Sequence, residues 1–289
     1  MATATGMATA TGTAIPTGHT ITTITTMATT VTRLGRAKRR PNTRKRTVAV
    51  LDRRRRSTEP TPERTKSGTL SRLMTWLSPA YPVGGYSYSH GLEWAVEAGQ
   101  VKDAQSLGSW IEDLLVHGAG RSDIIFLAAS WRALAAGNTT ALAGVIELAA
   151  AFVPSAERRL ETLGQGTAFL AATLAAWPTP EIEALASGGH EVAYPAAVGA
   201  CAAAHGLPLA ETAQAFAQAF AANIVSAGVR LIPLGQSDGL RVLARLEPLV
   251  PRVVASALTA GLDDVGGAAV AADIASMRHE TQYTRLFRS

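Results

Sequence analysis

Cysteine is nearly absent from this chain of 289 residues, in which Cys201 stands alone. One thiol forms no intramolecular disulfide, and it excludes a multi-cysteine zinc or iron–sulfur site within one chain. A reducing compartment is therefore the simplest expectation. The chain also lacks an apolar run of about 18 residues or more and a charged-then-apolar secretory pattern at its start. We therefore expect a cytoplasmic protein without membrane contact.

Acidic residues are absent from the first 32 positions, which contain 14 threonines. Between positions 33 and 66, 14 Lys and Arg residues face three acids, so residues 1–66 carry a formal charge of +11. The remaining residues, 67–289, carry −6. Because the first composition cannot build a hydrophobic core, we predict a disordered, basic Thr/Arg-rich tail over residues 1–66.

The tail has three interpretations that its composition leaves open. It is an extension from an early translation start, an organelle transit peptide, or a nucleic-acid-binding arm whose phosphate contacts are sequence-independent. The body, residues 67–289, has a negative charge that argues against nucleic-acid binding by it.

The body is rich in Ala and Leu and reads as a series of helices. Apolar side chains recur at helical spacing in two segments, and Pro154 to Trp177 fits one long helix. Glycine and proline interrupt the pattern around positions 137, 188, 206 and 233, which separates roughly eight to ten helices. We predict an all-α fold in which residues 67–289 form a single compact multi-helix bundle. The two periodic sets are Leu107, Trp110, Ile111, Leu114 and Leu115, and Ala213, Phe216, Ala217, Phe220 and Ile224.

Familiar catalytic and cofactor motifs are missing. There is no phosphate-binding GxxxxGK[ST] loop, and His190 and His279 each begin a zincin-like pattern that has Tyr at the second histidine position. We therefore predict no catalytic, metal or cofactor residues. The alternative function is a small-ligand-binding bundle or enzyme that uses Cys201, His190 and His205.

Three segments contain more polar, aromatic and turn residues than a plain bundle requires. The Tyr/Gly loop, residues 78–90, has two prolines, a Gly84-Gly85 pair and three tyrosines. After it, Ser89 is expected to cap a helix that has Glu93 in its first turn. The Arg230 corner, residues 230–241, ends one helix before Pro233 and starts another after the turn at 237–239.

The third segment is the C-terminal segment, residues 278–289. Its Arg, Tyr and Phe side chains are the types that dominate protein interfaces, on a terminus able to leave its domain. Docking back on its own bundle is the alternative. We expect deletion of residues 278–289 to abolish partner binding and to leave the helical content unchanged.

Four motifs, in order, resemble the UreF family of urease accessory proteins. They are Ser-Pro-Ala-Tyr-Pro-Val-Gly-Gly-Tyr-Ser-Tyr-Ser-His-Gly-Leu-Glu (78–93), Tyr-Pro-Ala-Ala-Val-Gly (194–199), Arg-Leu-Ile-Pro-Leu-Gly-Gln-Ser-Asp-Gly (230–239) and Met-Arg-His-Glu-Thr-Gln-Tyr-Thr-Arg-Leu-Phe-Arg-Ser (277–289). The resemblance implies an all-α, homodimeric, non-enzymatic chaperone that helps to insert nickel into apo-urease. Its implied partners are the UreD/UreH scaffold protein, the GTPase UreG and apo-urease.

The resemblance also implies which residues contact these partners. The scaffold contact falls on the C-terminal segment at Arg278, His279, Tyr283, Arg285, Leu286, Phe287 and Arg288. A surface shared with the GTPase is shaped by Gly84, Gly85, Tyr86, Ser87, Tyr88, His90 and Arg230. Arg230 or Arg121 is also a conceivable arginine finger for the GTP of the partner.

Overall fold

The structure, a computed structural model, describes the backbone of residues 62–289 and the side chains of residues 68–289. Within this part, twelve α-helices and two 3-10 turns (Gly85–Ser87 and Leu262–Asp264) form one compact unit without strands. The all-α prediction is confirmed. The helices are α1 (Pro62–Trp76), α2 (Leu92–Glu97), α3 (Ala104–His117), α4 (Ala119–Ala135), α5 (Thr139–Ala151), α6 (Ala156–Ala176), α7 (Pro180–Ser187), α8 (Tyr194–Ala204), α9 (Leu209–Leu231), α10 (Gln236–Leu246), α11 (Val250–Thr259) and α12 (Val270–His279).

The predicted tail lies almost entirely outside the described residues. Its boundary was placed after residue 66, and α1 begins slightly earlier, at Pro62. The disorder predicted for residues 1–61 therefore concerns a part of the chain that the structure does not describe.

The two periodic apolar sets lie on helices, as predicted. Leu107, Ile111 and Leu115 on α3 are fully buried, and Phe216 and Phe220 on α9 face the same core. The long helix of the middle region is α6, which begins at Ala156 rather than at Pro154. Its start is fixed by Ser155, whose hydroxyl accepts a hydrogen bond from the Arg158 amide at 3.2 Å.

Small residues allow α4 and α8 to pack closely at the centre of the bundle. Eight of the eleven residues of α8 are buried, and five of these eight are Ala or Gly. A Cβ atom at Gly199 would lie 2.2 Å from the carbonyl oxygen of Leu127 on α4, so only glycine fits this helix crossing. The interior where these two helices meet is therefore built of small residues.

The predicted breaks between helices all occur, but the count was too low. The breaks at 137, 188, 206 and 233 each separate two helices. Helices as short as α2, which has six residues, are difficult to count from the sequence because they do not complete two turns of apolar periodicity.

Two predicted helix starts were wrong by a few residues. Helix α10 begins at Gln236, so Asp238 lies in its first turn, where its carboxylate accepts the Gly235 amide at 3.1 Å. Helix α2 begins after Gly91, not at Ser89, because Gly91 adopts φ +75° and packs against the backbone of Ser276 on α12. This contact between α2 and α12 brings the end of the chain over the Tyr/Gly loop.

Candidate functional site

The three segments that the sequence singled out meet at one place in the fold. Arg230, near the end of α9, donates through Nη1 to the carbonyl of Tyr86 at 2.9 Å. Its guanidinium carbon lies 4.4 Å from the centre of the Phe287 ring. The Arg288 amide donates to the carbonyl of Ser87 at 2.8 Å. Arg230 therefore joins the Tyr/Gly loop to the C-terminal segment.

Beneath this junction lies an acidic cluster, which consists of Glu93, Glu157 and Glu161. Glu93 comes from α2, Glu157 from the first turn of α6, and Glu161 from the second turn of the same helix. All three are buried, and Glu161 has only 1% of its surface exposed. Buried carboxylates are costly unless hydrogen bonds and opposite charges compensate them, so their partners determine whether this site is stable.

His279, the last residue of α12, lies between two members of the acidic cluster. Its Nδ1 is 2.6 Å from Glu157 Oε2, and its Nε2 is 3.0 Å from Glu93 Oε2. The side chain is fully buried. Both contacts are hydrogen bonds when the imidazole carries both protons, and it then supplies a positive charge between the two carboxylates.

The C-terminal segment supplies further donors to the same carboxylates. The amides of Leu286 and Phe287 donate to Glu93 at 2.6 and 2.9 Å. Arg285 donates through Nη1 to Glu157 Oε1 at 2.6 Å. These bonds hold a segment that has no regular secondary structure, since its backbone amides find side-chain acceptors in place of a helix ladder.

Three side chains offset the cost of burying the Glu161 carboxylate. Arg158 forms a buried ion pair with it, His90 Nε2 lies 3.1 Å from its Oε1, and the Ser289 hydroxyl donates to its Oε2 at 2.7 Å. Burial alone would raise the pKa of Glu161, but the charge of Arg158 and the hydrogen bonds from Arg158 and Ser289 outweigh this effect and keep the pKa below its ordinary value. Glu161 is therefore ionised at neutral pH.

Ser89 secures the last residue to the Tyr/Gly loop. Its amide donates to the backbone oxygen of Ser289 at 2.7 Å, and its hydroxyl donates to the same oxygen. The interpretation in which the C-terminal segment docks on its own bundle therefore describes the chain in this structure.

The predicted scaffold-contact residues divide into two groups by exposure. Phe287 and His279 are buried and hold the segment in place. Tyr283 is fully exposed, and Leu286 is 66% exposed although it is apolar. The exposed members are Arg278, Tyr283, Arg285, Leu286 and Arg288.

The predicted shared-surface residues divide in the same way. Tyr88 and His90 are buried, whereas Tyr86 and Arg230 are exposed. The remaining residues, Gly84, Gly85 and Ser87, are partly buried, and Gly84 has φ +70°, which explains the need for glycine there.

The two conceivable arginine fingers are both engaged within the chain. Arg230 contacts Tyr86 and Phe287, and Arg121 donates through Nη1 to the carbonyl of Asp264 at 2.7 Å. Either guanidinium would have to give up these contacts before it reached a partner's nucleotide.

Sequence reasoning missed the acidic cluster as a functional feature. From the sequence, Glu93 was expected only in the first turn of a helix, and Glu157 and Glu161 were not candidate residues. Their meeting with His279 depends on contacts across more than 120 positions of sequence. One indication was available in the sequence. Glu157 and Glu161 lie on a mainly apolar helix, and the C-terminal segment is rich in basic residues that could pair with them.

The residues of the alternative function have separate environments. Burial raises the pKa of the Cys201 thiol to about 12, which leaves it un-ionised and a poor nucleophile. His205 accepts from Arg72 at 3.0 Å and donates to the Trp177 carbonyl at 3.2 Å, and His190 is exposed. Among the described residues, no group of three or more His, Cys, Asp or Glu side chains is arranged to hold a metal.

None of the helices in residues 62–289 combines the length and the apolar character that crossing a bilayer requires.

The fold and the site define a class: an all-helical protein whose chain end closes over a buried acidic cluster and presents exposed aromatic and aliphatic side chains. A family model named UreF matches residues 101–247. A urease accessory protein UreF of Rhodopseudomonas palustris (strain BisB5) is 57% identical over 225 residues, which cover 78% of this chain and 93% of that protein. The chain belongs to the UreF family of urease accessory proteins, which confirms the resemblance found in the sequence.

Relatives from other genera show similar agreement. The urease accessory protein UreF of Bradyrhizobium diazoefficiens is 53% identical over 225 residues, covering 78% of this chain and 93% of its own length. That of Xanthobacter autotrophicus is 56% identical over 222 residues, covering 76% of this chain and 91% of its own.

Proposed function

We propose that this chain is a non-enzymatic chaperone that helps to incorporate nickel into the active site of apo-urease. It acts as a homodimer in the cytoplasm, with the UreD/UreH scaffold protein and the GTPase UreG. The observation that supports this proposal best is membership of the UreF family at more than 50% identity over most of each relative's length.

The scaffold contact is made by the exposed face of the C-terminal segment. Tyr283 and Leu286 are large side chains that project from the bundle, and Arg278 lies beside them. Tyrosine and arginine side chains are typical of an interface centre, and the exposed Leu286 adds apolar area to the same patch.

The apolar surface continues along α12. Val270, Ile274 and Met277 are 59%, 45% and 47% exposed, and their spacing of four and three residues places them on one side of the helix. A scaffold that covers both α12 and the C-terminal segment buries this surface. His279 and Phe287 contribute by fixing the segment on the acidic cluster.

A paired substitution tests this contact. Tyr283→Ala with Leu286→Ala removes two exposed side chains and should weaken co-purification of the scaffold at least tenfold. Leu240→Ala on α10 is the matched control, since Leu240 is also 66% exposed but lies on another helix. Scaffold binding that is equal in the double variant and the control would move the interface elsewhere.

The GTPase contact involves the junction of Tyr86 and Arg230. If the chain links nucleotide state to nickel delivery, it must bind one nucleotide state of the GTPase more tightly than the other. Equal affinities for the GDP-bound and GTP-analogue-bound forms, measured by titration, would refute the coupling.

A further inference from the structure

A cavity of about 150 Å³ lies beside the acidic cluster, between the Tyr/Gly loop, α4, α6 and α9. A cavity of this size is large enough for a molecule as big as benzene. Tyr86 and Ser226 line it and are exposed, so it opens to the surface between the loop and α9. None of the residues of the C-terminal segment lines it.

His90 presents an unused hydrogen-bond acceptor at this cavity. Its side chain lines the cavity and is 8% exposed, and its backbone adopts φ 55°, which is uncommon for a residue other than glycine. Burial and the nearby Arg158 lower the pKa of His90 to about 3, so the imidazole is neutral. Nε2–H donates to Glu161, and the buried Nδ1 has no hydrogen-bond partner within the described residues.

Asp123 of α4 is a second open acceptor in the cavity. It lines the cavity, and within residues 68–289 its carboxyl forms no hydrogen bond or ion pair. Arg158, which pairs with Glu161, and Gln165, whose Nε2 donates to Glu161 Oε1 at 3.2 Å, also line the cavity, and neither forms a hydrogen bond to Asp123 or to His90 Nδ1. The Asp123 carboxyl and His90 Nδ1 are therefore acceptors without a donor, and a ligand that brings N–H groups would form hydrogen bonds with them.

The other end of the cavity is apolar and aromatic. Phe216 and Phe220 of α9 line it together with Val83 of the loop. The Phe220 ring centre is 4.9 Å from that of His90, so an aromatic face adjoins the open acceptors. Aromatic faces attract cations, and the aliphatic lining suits a short alkyl chain.

We propose that this cavity binds a small organic cation that carries several N–H donors on a short alkyl chain, such as an alkylguanidinium or an alkylammonium. Asp123 supplies the counter-charge, His90 Nδ1 accepts one N–H group, and the phenylalanine rings cover the alkyl part. An organic cation fits better than a metal ion, because the described residues offer no metal-binding group of three ligands. This proposal does not depend on the role in urease maturation.

Titration of n-propylguanidinium into the full-length protein tests the proposal directly, by calorimetry and by saturation-transfer NMR. Asp123→Asn keeps the shape of the side chain and removes its charge, and it should weaken binding at least tenfold. Asp113→Asn, on the exposed face of α3, should bind as the unsubstituted protein does. Ser226→Trp narrows the mouth from the exposed surface of α9 and should also block binding while leaving Asp123 intact.

The affinity should also depend on pH. Burial raises the pKa of Asp123 to about 7, with opposing effects from the charges of Arg158 and Glu161 on α6, and His90 of the loop lines the same cavity. Between pH 6 and pH 8 the ionised fraction of Asp123 rises about tenfold, so binding should tighten by about the same factor. The Asp123→Asn variant should lack this dependence.

Three outcomes would overturn the proposal: no binding of n-propylguanidinium, binding that Asp123→Asn leaves unchanged, or binding of Ni²⁺ alone that Asp123→Asn removes. If n-propylguanidinium binds and also reduces co-purification of the scaffold or the GTPase, the natural occupant is an Arg or Lys side chain of that partner. If co-purification is unchanged, the occupant is a free cation. Both of these results support the site.

Discussion

His279 connects most of the charges in the site. It lies between Glu93 and Glu157, while Arg285 reaches Glu157 from the C-terminal segment. Glu93 and Glu157 therefore have all their partners only when α2, α6 and the C-terminal segment are in place. The cost of burying each carboxylate is offset by residues that are distant in sequence.

Replacing Glu93 by Gln should destabilise the fold by about 2 to 4 kcal/mol, because the amides of Leu286 and Phe287 and the ring of His279 lose a charged acceptor. Urea unfolding followed by circular dichroism measures the change. Glu211→Gln, an exposed site on α9, should stay within about 0.5 kcal/mol of the unsubstituted protein. Equal stabilities for the two variants would mean that the cluster contributes little.

Asp123 should make the stability depend on pH. Burial raises its pKa from 3.8 to about 7, so the folded protein retains a proton that the unfolded chain releases between these values. Its contribution to the unfolding free energy therefore falls as the pH rises through this window. Relative to the unsubstituted protein, Asp123→Asn should gain up to about 4 kcal/mol between pH 4 and pH 8.

Unfolding free energies at several pH values, with Asp113→Asn as the control, measure this difference. The opposing effect of His90, whose pKa is lowered, is common to both proteins and cancels in the comparison. A difference between variant and parent that stays constant with pH would contradict the ionisation assigned to Asp123.

At the residue scale, the sequence indicated which side chains belong to the site better than it indicated which residues surround each of them. Arg230, Tyr86 and Phe287 were selected for their types and do lie together. Asp123 and Glu93 were not selected as candidates, because a single acid on an Ala-rich helix looks like an ordinary solvent-facing residue until its neighbours from other helices are known.

The C-terminal segment is the element whose behaviour differs most from the sequence prediction. Deletion of residues 278–289 was expected to leave the helices unaffected. The structure revises this expectation, since Leu286, Phe287 and Ser289 supply hydrogen bonds to buried carboxylates and Phe287 is itself buried. The segment is part of the fold as well as a candidate contact.

Truncation after Arg285 should therefore lower the unfolding free energy by about 3 to 5 kcal/mol. The truncated protein no longer buries the Phe287 side chain, and the carboxylates of Glu93 and Glu161 lose hydrogen-bond donors. Thermal melting by circular dichroism measures it. Leu286→Ala keeps the backbone and alters an exposed side chain, so it should melt within a few degrees of the parent. If the truncated protein melts at the parent temperature, the segment is not part of the stable fold.

Helices were predictable from periodicity where they are long. Helices α3, α6 and α9 follow their apolar spacing closely, and glycine or proline marks the breaks between neighbours. The predicted start of α2 was two residues too early, because the observed start is set by a tertiary contact of Gly91 with α12. The local sequence does not reveal this contact.

At the scale of the whole molecule, the charge distribution divides the chain into a basic and an acidic part. The basic excess lies in residues 1–66, and the relatives match 220 to 234 residues, close to the length of the described part. The family was predictable because four motifs survive in order. The packing of α4 against α8, and the closure of the chain end over Glu93, required the structure.

Urease activity in cells tests the central claim most directly. Cells with the cognate urease subunits, nickel and the other accessory proteins, but no UreF-family protein, should produce urease with little nickel and little activity. Expression of this full-length chain should restore both, measured as activity and bound nickel per urease active site. Urease that remains without nickel, although this chain is folded and abundant, would contradict the proposed role.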